Sequence, residues 1–206
     1  MAARHADRDH RRQEGLRGKY LEDWQREFSN FLWIDVEASG LHAGSFPVEI
    51  GWCGPDLVST SFLIRPIPEK WTIYEWSPSS EKVHGIGWNH INDFGHEATD
   101  VSHWLNAACH GKTVFSDNPE FDAAWLLQLF HDTGVKQQFT LHDAAQLERQ
   151  AVLASRLAPE EAQSYVERVK ARFPHPHRAG PDSRREAAKF LVLAMPHLLQ
   201  EIEAMA

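Results

Sequence analysis

The chain has 206 residues, 42% hydrophobic, 11% aromatic and 24% charged, with a formal net charge of −8. That length carries one domain, at most with appendages, and eight Trp exclude the aromatic-poor profile of a disordered chain. The longest apolar run, Phe190 to Met195, stops at Pro196, far short of the roughly 20 residues a membrane-spanning helix needs.

Residues 1–22 are polar and basic. The first twenty hold Arg4, Arg8, Arg11, Arg12, Arg17 and Lys19 against Asp7, Asp9 and Glu14, which leaves the remainder strongly acidic. These residues read as a mobile basic arm, either solvated or in contact with nucleic acid, and residues 23–206 read as a single domain. An acidic body argues against coating long duplexes by neutralising many phosphates. It remains compatible with gripping a short nucleic-acid end through bound metal ions. Cys53 and Cys109 are too few for a disulfide framework, and the N-terminus lacks the apolar region of a secretory signal, so a reducing, cytoplasmic setting is the expectation.

In chain order, Phe31 to Val36 predicts a buried strand, because bulky and β-branched residues are bounded by Asn30 and by Ser39-Gly40. Strands near Val48 to Cys53 and Leu57 to Ile64, separated by Gly54-Pro55-Asp56, predict a hairpin. Pro66 to Gly95 is rich in Pro, Trp, Gly and Ser and predicts a long surface connection with at most a short helix around Ser80 to His84. The pattern then alternates: a helix over Ala98 to Cys109, a strand over Thr113 to Phe115, a helix over Pro119 to His131 and a short strand over Phe139 to Leu141. Alternation of this kind means parallel strands joined by crossover helices. Helical spacing continues through residues 143–172, with Pro159 opening a second helix. Arg172 to Asp182 predicts a loop, and a last helix runs from about Ser183 to Pro196. The sum is an α/β fold, a mixed five-stranded sheet flanked by helices.

Chemistry concentrates in three places. Asp35 and Glu37 alternate onto one strand face with Cα atoms about 7 Å apart. They lie at the C-terminal end of the most apolar strand, where open α/β sheets place ligands. Asp122 follows Asn118, a plausible helix cap, and Pro119 at the first helical position. Asp182 ends His175-Pro-His-Arg-Ala-Gly-Pro-Asp182. Each of these residues also has a structural explanation as a strand end, a helix start or a loop. Taken together, four carboxylates and a histidine in this order suit two divalent ions, which take carboxylate oxygens and sit roughly 3.5 to 4 Å apart.

These residues resemble the DEDDh, or DnaQ-like, 3′-to-5′ exonucleases. Asp35-Val-Glu37-Ala-Ser-Gly-Leu41 with Pro47-Val-Glu-Ile-Gly51 is similar to the first family motif, Asn118-Pro-Glu-Phe-Asp122 to the second and His177-Arg-Ala-Gly-Pro-Asp182 to the third. Val83-His84-Gly85-Ile86 is a further likeness. The opening Leu32 to Glu37 is also similar to oligoribonucleases, whose later segments are less close. The resemblance covers roughly residues 31–195.

The resemblance implies a ribonuclease-H-like fold and hydrolysis of single-stranded RNA or DNA, or of 3′ overhangs, to nucleoside 5′-monophosphates. It implies Asp35, Glu37, Asp122 and Asp182 as ligands of two Mg²⁺ or Mn²⁺ ions, and His177 as general base. Ser39, Gly40, Leu41, Asn118 and Phe121 become substrate-binding residues, with a backbone amide at this turn contacting the terminal nucleotide and Leu41 wedging against its base or simply packing the turn. Homodimers are common among such relatives, and the sequence leaves a homodimer open.

Asp117 departs from the family pattern and adds negative charge, and Gly180-Pro181 stiffens the approach to Asp182. Phe46 is a stacking platform or, by the simpler reading, core. Arg178, Arg184, Arg185 and Lys189 line a phosphate path or form a solvated helix face. His84, His90 and His96, or the pair His175 and His177, invite a zinc reading, but no Cys-x-x-Cys or helical His-Glu-x-x-His anchors one. The competing functions are an inert nucleic-acid-binding or scaffolding protein on the same fold and a nuclease of that fold acting internally on RNA in hybrids.

Overall fold

The computed structural model describes residues 26–206; the expected basic arm lies outside them. Strands β1 (Phe31–Ala38), β2 (Pro47–Cys53) and β3 (Ser59–Leu63) form an antiparallel meander. Strands β4 (Thr113–Ser116) and β5 (Leu141–Asp143) add in parallel on the other side of β1, giving the order β3-β2-β1-β4-β5. The strand and hairpin expectations hold, with β5 displaced two residues downstream of its expected place. There Asp143 ends the strand and accepts the Ala145 N–H at 2.8 Å, capping the next helix.

The central strand β1 splits the core by its period of two. Leu32, Ile34 and Val36 face one apolar cluster with helices α3 (Ala98–Cys109) and α4 (Pro119–Thr133). On the other face Trp33 joins Phe115 and the helices α5 (Ala144–Ser155), α6 (Pro159–Arg172), α7 (Ala179–Ala194) and α8 (Leu199–Glu203). Asp35 and Glu37 continue the Trp33 face toward the strand's C-terminal end, so the two carboxylates emerge where α7 begins.

Two sequence expectations need correction. Pro66 to Gly95 is not a surface connection: beside the expected short helix, α1 (Pro78–His84), it contains α2 (Trp88–Phe94) and buries Trp71, Ile86 and Ile91. Phe46 stacks on Trp71 with centroids 5.0 Å apart, and the Trp71 indole N–H donates to Asp132 at 2.7 Å. Phe46 is therefore core and no stacking platform. Seven-residue helices span about two turns, too few for an apolar period to stand out among Pro and Gly.

The last helix begins at Ala179, four residues before its expected start. Its first turn is anchored by the buried Glu49 carboxylate of β2, which accepts the Ala179 N–H at 2.9 Å and the Arg178 guanidinium at 2.9 and 2.7 Å. Pro181 fits in that turn because its missing N–H would have no helical acceptor there. Gly51 lets the two elements touch: a Cβ on it would lie 2.3 Å from the Ala179 carbonyl carbon. Among the described residues no helix is long and apolar enough to cross a membrane.

Candidate metal and nucleic-acid site

A cleft of about 450 Å³ opens at the C-terminal end of β1, and Asp35, Glu37, Asp117, Asp122, His175 and His177 reach its lining. Three elements deliver the expected carboxylates. Strand β1 carries Asp35 and Glu37, opposite Gly51 and Glu49 of β2. The first turn of α4 carries Asp122, 3% exposed, whose carboxylate accepts the Ser116 hydroxyl. The first turn of α7 carries Asp182, also 3% exposed. One Asp182 oxygen accepts the Arg178 N–H at 3.0 Å and lies 3.1 Å from His175 Nε2, while Oδ1 is buried with no hydrogen-bond partner among the described residues.

The carboxylates fall into two groups that share one residue. Asp35, Glu37 and Asp182 each offer an oxygen within 4.8 Å of the others, and so do Asp35, Asp117 and Asp122. Asp35 thus stands between two triads of hard oxygen donors, the donor type that Mg²⁺ and Mn²⁺ prefer.

Crowding these charges without a cation pushes their protons on. Burial first, then Asp182 and Glu49, lifts Glu37 to about 7. Asp122 rises to about 8, mainly by burial and with Asp117 contributing, against the lowering pull of Ser116. Asp182 rises to about 7 through burial, opposed by the Arg178 N–H and Arg185. Asp35 lies well above the usual carboxylate range, from burial and then from Asp122 and Glu37. The Arg178 guanidinium is bound to Glu49. The donor set and the unpartnered Asp182 oxygen therefore fit divalent cations: they answer both the charge and the missing contact.

The remaining expected residues distribute unevenly. His177 sits in the left-handed region at φ 54° and reaches the cleft, with a ring nitrogen within 4.8 Å of Asp182 and His175 donor atoms. Gly40, Leu41 and Asn118 line the cleft, and Leu41 is 73% exposed rather than packed into its turn. Asn118 precedes α4 but makes no side-chain cap; its own N–H donates to Ser116 Oγ at 3.1 Å.

Ser39 faces inward. It is buried, its N–H donates to the Phe46 carbonyl at 2.8 Å, its carbonyl accepts from Ser77 and its hydroxyl oxygen accepts the Phe46 N–H at 3.0 Å. It shapes the turn and leaves any ligand-facing amide to Gly40 or Leu41. Phe121 lies outside the cleft lining, 40% exposed beside Trp125, and Trp125 itself forms the wall there.

The basic residues considered as a phosphate path are mostly internal ties. Besides Arg178, Arg184 donates to the Met205 carbonyl, and Lys189 pairs with Glu186 at 2.6 Å and Glu148 at 3.2 Å. Asp117, His175, His84 and Trp125 also line the cleft, although the sequence assigned none of them a role in the carboxylate site. His84 is buried against the cleft, its Nδ1 accepting the Ile86 N–H at 3.0 Å and the Ala38 backbone lying beside its ring. It had a signal in the Val83 to Ile86 likeness, and Asp117 had one as a departure from pattern. Trp125 had none beyond helical spacing.

No protein-family model and no curated protein matches the sequence. Solved structures do match the fold. The zinc-ion-bound complex of Escherichia coli exonuclease I with single-stranded DNA aligns at TM-score 0.57 and 15% identity, covering 83% of this chain and 42% of that one. The same enzyme in complex with a dA16 oligonucleotide aligns at 0.59 and 13%, with the same coverage. Exonuclease I from Methylocaldum szegediense aligns at 0.57 and 13%, covering 84% and 42%. The chain thus spans less than half the length of these proteins and shares with them the ribonuclease-H-like fold, the one its motifs anticipated.

Proposed function

We propose that the chain is a metal-dependent 3′-to-5′ exonuclease acting on single-stranded RNA or DNA ends, including 3′ overhangs. The observation that carries this reading is the pair of carboxylate triads sharing Asp35, with Asp35, Glu37, Asp117 and Asp122 lining the cleft. Solved structures of the same fold include exonuclease I complexes with single-stranded DNA, which supports this class of ligand.

Asp35, Glu37, Asp122 and Asp182 would hold two Mg²⁺ or Mn²⁺ ions, which when bound supply Lewis-acid stabilisation of the phosphoryl group and acidify water. The chain's own residues do the rest. His177 takes the proton of the attacking water at a ring nitrogen as the new O–P bond forms and the bond from phosphorus to the 3′-oxygen breaks. The departing strand keeps a 3′-hydroxyl and the released residue is a nucleoside 5′-monophosphate. Leu41 presents exposed apolar surface to the terminal base, in the manner of apolar side chains set between bases, and Trp125 closes the cleft wall. Glu49 and Arg178 fix the start of α7 and with it Asp182.

End requirement tests the reading. A linear single strand with a free 3′-hydroxyl is expected to be degraded, while the same strand with a blocked 3′ end and a closed single-stranded circle persist. Cleavage of the circle would replace this function with internal attack.

A further inference from the structure

The pair His175 and His177, which lacked a third ligand in the sequence, acquires one in the fold. A ring nitrogen from each and a carboxylate oxygen of Asp182 lie within 4.8 Å of one another, and the rings are tilted by 41° with centroids 4.3 Å apart. His175 Nε2 is 3.1 Å from Asp182 Oδ2. Two donors of a tetrahedral Zn²⁺ site with metal–nitrogen bonds of about 2.0 Å stand roughly 3.3 Å apart, so this contact already has the needed spacing. Asp182 is almost fully buried, and it is Oδ2 that meets His175, while Oδ1 has no hydrogen-bond partner among the described residues.

We propose that His175, His177 and Asp182 form a three-ligand site for a borderline transition-metal ion of the Zn²⁺ class. Its two nitrogen donors set it apart from the all-oxygen triads around Asp35: imidazole suits Zn²⁺, Co²⁺ or Ni²⁺, whereas Mg²⁺ and Mn²⁺ favour carboxylate oxygen. Three protein ligands leave a position open to water. Binding at this site does not depend on the exonuclease reading. Its consequence does: an ion here withdraws His177 from proton transfer and Asp182 from the hard-cation cluster, so Zn²⁺ acts as an inhibitor in the presence of Mg²⁺.

The test is titration of the full chain with Co²⁺ in a large excess of Mg²⁺, followed by visible absorption, because low-coordinate Co²⁺ with nitrogen ligands absorbs strongly and six-coordinate oxygen-ligated Co²⁺ weakly. The expected result is an intense band saturating at one ion per chain and displaced by Zn²⁺. It is lost in His175→Gln and in His177→Gln and kept in Asp35→Asn. If the wild type gives no intense band, if the band survives both histidine substitutions, or if Asp35→Asn abolishes it, the site is overturned. Thermal melting identifies any histidine variant that fails to fold, and the other variant then decides. Because the readout is binding, it fails independently of whether the chain cleaves nucleic acid.

Discussion

Asp35 belongs to both carboxylate triads, so replacing it weakens both cation positions at once. Asp35→Asn is expected to lower hydrolysis by about 10³-fold or more, several kcal/mol of lost charge stabilisation at about 1.4 kcal/mol per tenfold. It also removes a charge from a crowded buried group, so the metal-free variant should melt no lower than wild type; a large fall in melting temperature would mean that Asp35 is structural. His177→Gln keeps a polar side chain but removes the base, and should reduce kcat by about 10²- to 10⁴-fold with little change in melting temperature. A variant with unchanged kcat would remove His177 from the mechanism. At this scale much was legible. Asp35 and Glu37 were readable because a strand's alternation puts i and i+2 on one face. Asp122 and Asp182 were readable only as members of the ordered set of carboxylates and through the family resemblance, since each is also an ordinary acidic residue in a first helical turn. The inward placement of Ser39 was not legible, because its polar atoms meet Phe46 and Ser77, contacts that its place beside Asp35 and Glu37 in the sequence does not contain.

Among elements, the junction of β2 and α7 positions the site. Glu49 holds the first N–H of α7, and Gly51 permits the approach. Gly51→Ala would drive its Cβ into the Ala179 backbone, and backbone cannot swing aside as a flexible side chain can. The expected cost is about 1–3 kcal/mol, the usual range for overpacking. It should be read as a lower denaturation midpoint, with weaker divalent-cation binding as Asp182 shifts. An unchanged midpoint would show that the junction is looser than its geometry. The long helices and the strands were legible from period and length. The segment Pro66 to Gly95 was not, because its burial comes from Trp71 under Phe46 and from Ile91 packing, contacts between residues distant in sequence. The early start of α7 likewise rests on a cap donated by β2, some 130 residues away, which no local pattern contains.

For the whole molecule, the buried acid cluster links stability to pH and to metal. Glu37 and Asp182 titrate near 7 and Asp122 near 8 in the fold, against ordinary values of 4.5 and 3.8. The folded chain therefore holds protons that the unfolded chain releases, and the slope of stability with pH is negative between these values. In chelator, the cluster's contribution is greatest below about pH 4 and is lost as pH rises to about 8, so the melting temperature should fall across that window. Mg²⁺ or Mn²⁺, which bind the ionised form, should raise it more at pH 8 than at pH 5. Scanning fluorimetry at both pH values checks the sign; an equal metal-induced rise at pH 5 and pH 8 would place the cations elsewhere. The proposed function has these carboxylates serve metal-dependent removal of nucleotides from a 3′ end. Its most direct measurement is a time course on 5′-labelled single-stranded DNA and RNA of one sequence with Mn²⁺, beside chelator and Asp122→Asn controls. A ladder shortening stepwise from the 3′ end, absent from both controls, is the predicted result. Intact substrate with folded, metal-loaded protein, or a ladder that persists in Asp122→Asn, would contradict it.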